Sequence, residues 1–215
     1  MSRLCFGATL VVLAVALAFG QESYQTGKNE ISGTIGDTFV SDQGVPNSGL
    51  SNANVQHGNG VSFEVNYARI LHTTDWIEFA AEVPATFNLD EDLHYAANQV
   101  PVDYRSFFIT PAARLRFIPA LAFSPWVSLG GGFGHFGANS DLIYYGTNTG
   151  NRSATSGVLQ GGVGLDTHIP WKAIERYIFR FEARDDWSGI PPINVDTGKT
   201  RQHNYYLGGG MAFRF

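Results

Sequence analysis

Hydrophobicity in this chain alternates with a period of two over most of its length, which argues for strands with two different faces. In the segment RYIFRFEARDDW, Tyr177, Phe179, Phe181 and Ala183 share one face, while Ile178, Arg180, Glu182 and Arg184 share the other. A helix would mix the two sets. GVSFEVNYAR sets Val61, Phe63, Val65 and Tyr67 against Ser62, Glu64, Asn66 and Ala68. TDWIEFAAEV sets Ile77, Phe79, Ala81 and Val83 against Trp76, Glu78, Ala80 and Glu82. FITPAARLRF sets Ile109, Pro111, Ala113, Leu115 and Phe117 against Thr110, Ala112, Arg114 and Arg116. Residues 30–39, 124–136, 157–167 and 205–215 follow the same rule. The expectation is an all-β fold of eight strands of about ten residues each, the length that crosses a bilayer at a tilt. Pro111 interrupts the fourth strand, because proline has no N–H to give to a ladder.

The connections alternate in length. Those at 41–60, 88–103, 137–156 and 186–202 are long and polar, and those at 71–75 and 118–122 are short. The segment HIPWKAIER in 168–176 is intermediate, with room for a short helical piece. Long loops on one rim and short turns on the other mark an antiparallel up-and-down barrel with an even number of strands.

Arg3 and the apolar run LCFGATLVVLAVALAF (4–19) read as an export signal, with small residues placing cleavage near 18–20. The run is short for an anchor helix across a ~30 Å hydrocarbon core. Residues 1–20 are therefore expected to be a signal peptide and 21–215 a single barrel domain. Removing the signal removes Cys5, the only cysteine, so no disulfide holds the mature chain. The formal net charge of −5 argues against a nucleic-acid partner, which needs a basic patch. Charged residues make up 15%, against about 25% in ordinary soluble domains.

Alternation alone does not say which face is inside. A soluble eight-stranded barrel of the lipocalin kind buries its apolar face, and a membrane barrel reverses this. Three features choose the second arrangement. The polar faces of the fifth and last strands are rich in small residues (Ser128, Gly130, Gly132 and Gly134; Gly208, Gly210 and Ala212), leaving room for long side chains in a narrow lumen. Glu64, Glu78, Glu82 and Glu182 share the polar faces with Arg114, Arg116, Arg180, Arg184 and Arg214, a near-balanced set that can pair in an enclosed space. Facing lipid, each Arg would cost about 2–4 kcal/mol near the midplane. On the apolar faces, Asp37 and Arg69 are expected near strand ends. Finally, Gly210, Phe213 and Phe215 form a glycine–hydrophobic–terminal aromatic pattern at the end of the last strand.

That ending resembles the signal read by the outer-membrane assembly machinery of Gram-negative bacteria. Over residues 28–215 the chain resembles the small outer-membrane β-barrels of the OmpA/OmpX and opacity-protein type. The resemblance implies a monomer exported to the outer membrane of the cell envelope. Its partners would be outer-membrane lipid, lipopolysaccharide and the assembly machinery, with no cofactor. Unlike OmpA, the chain is expected to stop at the barrel, with no peptidoglycan-binding domain after Phe215. The expected role is structural, or surface interaction through four long outer loops, with the Arg/Glu network filling the lumen. A narrow porin-like channel is the alternative.

The motifs point to no other chemistry. SLGGGFGHFG contains a GxG but lies within a strand pattern, with no helix following to bind a phosphate. His57, His72, His94, His135, His168 and His203 show no metal-ligand spacing. NLDEDLH places Asp90, Glu91 and Asp92 in a long, solvated loop without the spacing of a calcium site. Asn151 opens an NRS sequon that reads as loop sequence. A lipid A hydrolase would need a serine, a histidine and an acid on the lipid-facing surface; His135, Ser140 and Asp141 are the candidates, and they form no compact motif.

Overall fold

The computed structural model describes residues 27–168 and 176–215. The signal segment, its cleavage point and the helical piece expected within 169–175 lie outside the described residues. The strands are β1 (Asn29–Val40), β2 (Gln43–Gly44), β3 (Asn54–His57), β4 (Asn59–Thr73), β5 (Ile77–His94) and β6 (Asp103–Ile109). They continue with β7 (Ala112–Phe117), β8 (Phe123–Ala138), β9 (Ser153–His168), β10 (Tyr177–Gly189) and β11 (Arg201–Arg214). All pairings are antiparallel. β1 pairs with both β4 and β11, so the sheet closes into a ring. β6 and β7 together form one wall strand, broken at Thr110–Pro111, which gives a barrel of eight wall strands. Across that break the ladder is patched by Thr110 N–H donating to the Pro84 carbonyl (3.2 Å) and Gly131 N–H donating to the Pro111 carbonyl (3.1 Å).

The short turns carry their own signals. Thr74 Oγ1 accepts from the N–H groups of Trp76 (3.3 Å) and Ile77 (3.1 Å), closing β4 onto β5. In the β7–β8 turn Ile118 has φ of 46°, a strained conformation for a β-branched residue. It is held by its N–H donating to the Trp76 carbonyl (2.7 Å) and by Ser124 Oγ donating to its carbonyl (3.0 Å).

Register fixes the barrel's dimensions. From Leu129, the pairing runs through Ala113, Ala81 and Arg69 to Asn29 in one direction. In the other it runs through Gly161, Asp185 and Tyr205 to Phe39, ten residues further along β1. A stagger of ten over eight strands gives a tilt of about 40° and a backbone radius of roughly 8 Å. On β1 the outward residues run from Ile31 to Phe39, which at that tilt spans about 20 Å along the axis, close to the ~25 Å apolar band of outer-membrane barrels.

The barrel is inside-out. Ile35 (68% exposed), Leu129 (66%) and Phe181 (60%) face outward, whereas Arg180 is fully buried and Glu182 is 3% exposed. Aromatic side chains ring the loop end of the wall: Phe63 stacks on Phe87 (5.0 Å), Phe87 on Phe107 (6.1 Å), and Phe133 meets Phe107 edge-on (5.9 Å).

Three expectations need correction. The strands run longer than ten residues, up to 18 in β5, because hairpins continue beyond the apolar wall. The first outer connection holds its own hairpin, β2–β3, docked on β5 through Gln56 and His94. Asp90, Glu91 and Asp92 lie within β5 rather than in a solvated loop, and a bulge between Asn88 and Glu91 leaves Glu91 fully buried. As expected, Asp37 and Arg69 lie near strand ends: Asp37 is exposed three residues from the end of β1, between Val61 and Leu207, and Arg69 is four residues from the end of β4, hydrogen-bonded to Asn29 Oδ1 (2.7 Å). Such a wall needs a detergent or lipid surround. The purified protein is expected to run at different positions on SDS gels before and after boiling, and identical migration would mean that the ladder does not close.

Candidate functional site

Inward-facing positions of seven wall strands bring the sequence-selected charges together, with two carboxylates that the sequence reading did not select, Glu30 and Asp166. Both were legible by parity: Glu30 shares its face with Ser32 and Thr34, and Asp166 with Gln160, Gly162 and Gly164. Near the short-turn end, Glu30 accepts from Arg114 (2.6 Å), Arg116 (3.0 Å), Arg180 (2.8 Å) and Arg214 (3.0 Å). Glu78 pairs with Arg116 (2.9 Å) and Arg214 (2.7 Å), and Asp166 with Arg180 (2.8 Å) and Arg116. Deeper in the barrel, Arg184 gathers Glu64 (2.8 Å), Glu82 (3.1 Å) and Glu182 (3.1 Å). Arg114 also reaches Glu82 (3.3 Å), so one guanidinium joins the two clusters.

Trp126, also missed by sequence reasoning, fills the middle. Its indole lies under the guanidinium carbons of Arg184 (5.3 Å), Arg180 (5.4 Å) and Arg114 (5.8 Å), and its Nε1–H donates to Asp166 Oδ1 (3.1 Å). Glycine makes the space: a Cβ at Gly164 would overlap the Trp126 ring and meet the Phe181 carbonyl oxygen at 2.7 Å. Above Arg184, Thr34 Oγ1 donates to Glu182 (2.6 Å) and lies 2.8 Å from the Tyr206 hydroxyl.

Toward the long-loop end an apolar cluster joins inward polar residues such as Ser62, Asp186, Ser188 and Asn204. Tyr104, Phe108, Phe136 and Val158 from the wall pack with Val55, Leu93, Tyr95, Val100 and Ile193 from the outer connections. The outer loops, polar in composition, fold onto an apolar core over the barrel mouth. Polar links tie the cap down: Thr197 to Gln43 (2.9 Å), Gln43 to Gln202 (2.9 Å) and Gln202 to Asn204 (2.7 Å). Asn98 fixes a hairpin tip by donating to the Tyr145 carbonyl (2.7 Å) and accepting from Tyr144 N–H (3.1 Å), and Tyr145 stands 77% exposed.

Glu91 and His57 sit beneath this cap, beyond the aromatic ring of the wall. Glu91 accepts from Asn88 Nδ2 (2.9 Å) and forms no ion pair among the described residues, and burial pushes its pKa up to about 7. His57 packs edge-on to Tyr104, and burial lowers its pKa to about 4.

The remaining candidates are dispersed. Gly210 pairs with Thr34, Phe213 contacts Tyr177 (5.2 Å) and Phe215 (6.1 Å), and the Phe215 backbone exchanges hydrogen bonds with Asn29 (3.0 and 3.1 Å). The last residue is therefore a rung of the closing seam. The glycines of the GxG lie within β8. Among the described residues no group of three potential metal ligands assembles. His135 Nδ1 is 2.7 Å from Thr155 Oγ1, while the Ser140 carbonyl accepts from Asn148 N–H, so the structure gives His135 and Ser140 different partners.

Glu30 serves four guanidiniums and Glu182 one, so the two should differ sharply on substitution. Glu30→Ala should cost about 3–5 kcal/mol, the scale of breaking a buried pair, and Glu182→Ala should cost clearly less. Thermal unfolding in detergent reads this, and the reverse order would show that Glu30 is not the hub. A second expectation concerns pH. Because Glu91 has a raised pKa in the folded state, its contribution is full below its unfolded value and is lost as pH rises through about 7. Glu91→Gln should therefore match the native protein near pH 4.5 and melt several degrees higher at pH 8. His57 acts oppositely, losing stability as pH falls from 6.5 toward 4, but it is common to both proteins and cancels in the difference.

No family model matches the sequence, and no curated protein matches it. Among solved structures, the chain is similar to Neisserial surface protein A (NspA) at 14% identity and a TM-score of 0.53, covering 87% of this chain and 97% of that one. OprG from Pseudomonas aeruginosa aligns at 14% identity and a TM-score of 0.45, covering 89% of this chain and 98% of that one. Ail of Yersinia pestis aligns at 17% identity and a TM-score of 0.43, covering 88% and 100%. With the ring closed, its apolar face outward and the NspA likeness, the chain has the fold of a small eight-stranded outer-membrane β-barrel.

Proposed function

We propose that this protein is a closed outer-membrane barrel that presents its ordered outer cap as an interaction surface. The carrying observation is the apolar core formed by the outer connections, with Val55, Leu93, Val100 and Ile193 packed over Phe108 and Phe136. Loops with a core of their own hold a fixed shape, and a fixed shape lowers the ordering cost of binding. Exposed Tyr145 on a tip held by Asn98 is the kind of rigid aromatic that dominates interfaces. That the similar neisserial structure is named a surface protein agrees with this reading. The outward apolar wall supports the outer-membrane location.

The channel reading is disfavoured by two plugs in series, the Arg/Glu/Trp126 layer and the apolar cap. An eight-stranded interior is just wide enough for its own side chains. In planar bilayers the pure protein should give no steady unitary current, and the double substitution Phe108→Ala with Phe136→Ala should not create one, because the charged layer remains. Steady, uniform conductance steps from the native protein would reverse the assignment in favour of a channel.

A further inference from the structure

The lipid-facing surface carries a groove that the cap and lumen do not explain. It opens at the outer ends of β5, β6, β8 and β9 and has a volume of about 660 Å³. Phe87, Leu89 and Phe107 line its apolar part, and Arg105, His135 and Arg152 line its polar part. Among the described residues no carboxylate lines it. Register gives the order along the axis. Phe87, Phe107 and His135 are consecutive cross-strand partners in the aromatic ring. Arg105 is the next outward position beyond Phe107, about 7 Å further along the strand. Opposite it stands Gly137, whose missing side chain leaves a flat bed: a Cβ there would lie 3.5 Å from Arg105 Nε.

The two guanidiniums differ from those in the lumen. Each of the five interior arginines has at least one carboxylate partner. On the outer wall Arg69 bonds to Asn29, and Arg201 lies over Trp187 at 4.7 Å. Arg105 and Arg152 take no ion pair among the described residues. The acid nearest in sequence, Asp103, is engaged by Asn139 Nδ2 (2.9 Å). His135 is oriented by Thr155 through Nδ1, which leaves Nε2 as its other polar atom.

We infer that this groove is a binding site for the phosphate-bearing headgroup of an outer-leaflet lipid. Arg105 and Arg152 hold the phosphate by charge-assisted bonds, and Phe87, Leu89 and Phe107 take the acyl chains below it. The argument for this occupant is charge complementarity at the level where an apolar wall gives way to cations. A free anion would have no use for the aromatic floor, and a neutral lipid none for the two arginines. The inference rests on the reading that the wall faces lipid.

Native mass spectrometry of the folded protein released from detergent tests it, with bisphosphorylated lipid A, its dephosphorylated form and inorganic phosphate as probes. The expected result is a saturable one-to-one adduct with phosphorylated lipid A. Binding should be at least ten-fold weaker for the dephosphorylated lipid, and at least ten-fold weaker for the combined Arg105→Ala and Arg152→Ala protein. The Arg105→Lys with Arg152→Lys protein should bind within a few-fold of native, and Arg176→Ala, at the opposite rim, should bind as native. Unboiled gel migration shows that each variant is folded. Unchanged binding by the double alanine variant, equal binding of dephosphorylated lipid, or displacement by inorganic phosphate at matching concentration would each overturn the assignment. A wrong lipid-facing wall would show separately, as a protein that stays folded without detergent.

Discussion

In lipid there is no water to complete a sheet edge, so the β1–β11 seam is the contact on which the rest of this structure depends. Every other wall pairing joins strands that are near neighbours in sequence. The seam joins Glu30 to Arg214 and ends with Asn29 and the final residue, Phe215, exchanging backbone hydrogen bonds. Until it forms, β1 and β11 each expose a row of N–H and C=O groups. Once it forms, the strand number and stagger are set, and with them the radius of the interior. The Glu30–Arg214 ion pair spans the same seam on the inward face, at 3.0 Å, so the backbone closure and the charge network meet at one place.

A narrow interior makes charge placement a matter of register. Sliding any strand by one residue would turn its arginines and glutamates toward lipid and its aromatics into the lumen. The ion pairs themselves add little to stability, since desolvation offsets most of their attraction. Their value lies in the difference between the two faces: a paired guanidinium inside against an unpaired one in hydrocarbon, at about 2–4 kcal/mol each near the midplane. Five such arginines specify the inward face far more strongly than they stabilise it. Glycine completes the arrangement, because Trp126 and the three guanidiniums stacked with it fit only where Gly164 offers no side chain.

The wall was legible in the sequence because period-two alternation is local, and neighbouring hairpins follow from chain order. The small residues on two strand faces and the charge parity then oriented it. Parity puts Glu30, Asp166 and Trp126 on the inward faces, but a lone inward charge or aromatic joins no site until its partners are known, and these lie 84 to 184 residues from Glu30 and 40 residues apart for Trp126 and Asp166. The cap was least legible. Val55, Val100 and Ile193 are isolated apolar residues in polar loops, and only their convergence from separate connections makes a core.

β5 explains why the cap and the wall obey opposite rules. Through Val83, Phe87 and Leu89 its outward face is apolar, while Glu82, Thr86 and Asn88 face inward. After the bulge at Asn88–Glu91 the pattern inverts: Asp92 and His94 are exposed and Leu93 is buried. The same backbone thus reads as a membrane strand below the bulge and as a soluble strand above it. Such an inversion is what a change of solvent demands, since an apolar residue turns outward in lipid and inward in water. Arg105, the first outward position beyond Phe107 on the neighbouring strand, falls at the same transition. The cap is therefore best understood as a small water-soluble core seated on an inverted barrel. Its packing has the same origin as that of any globular domain, and the barrel wall carries that core over its outer mouth.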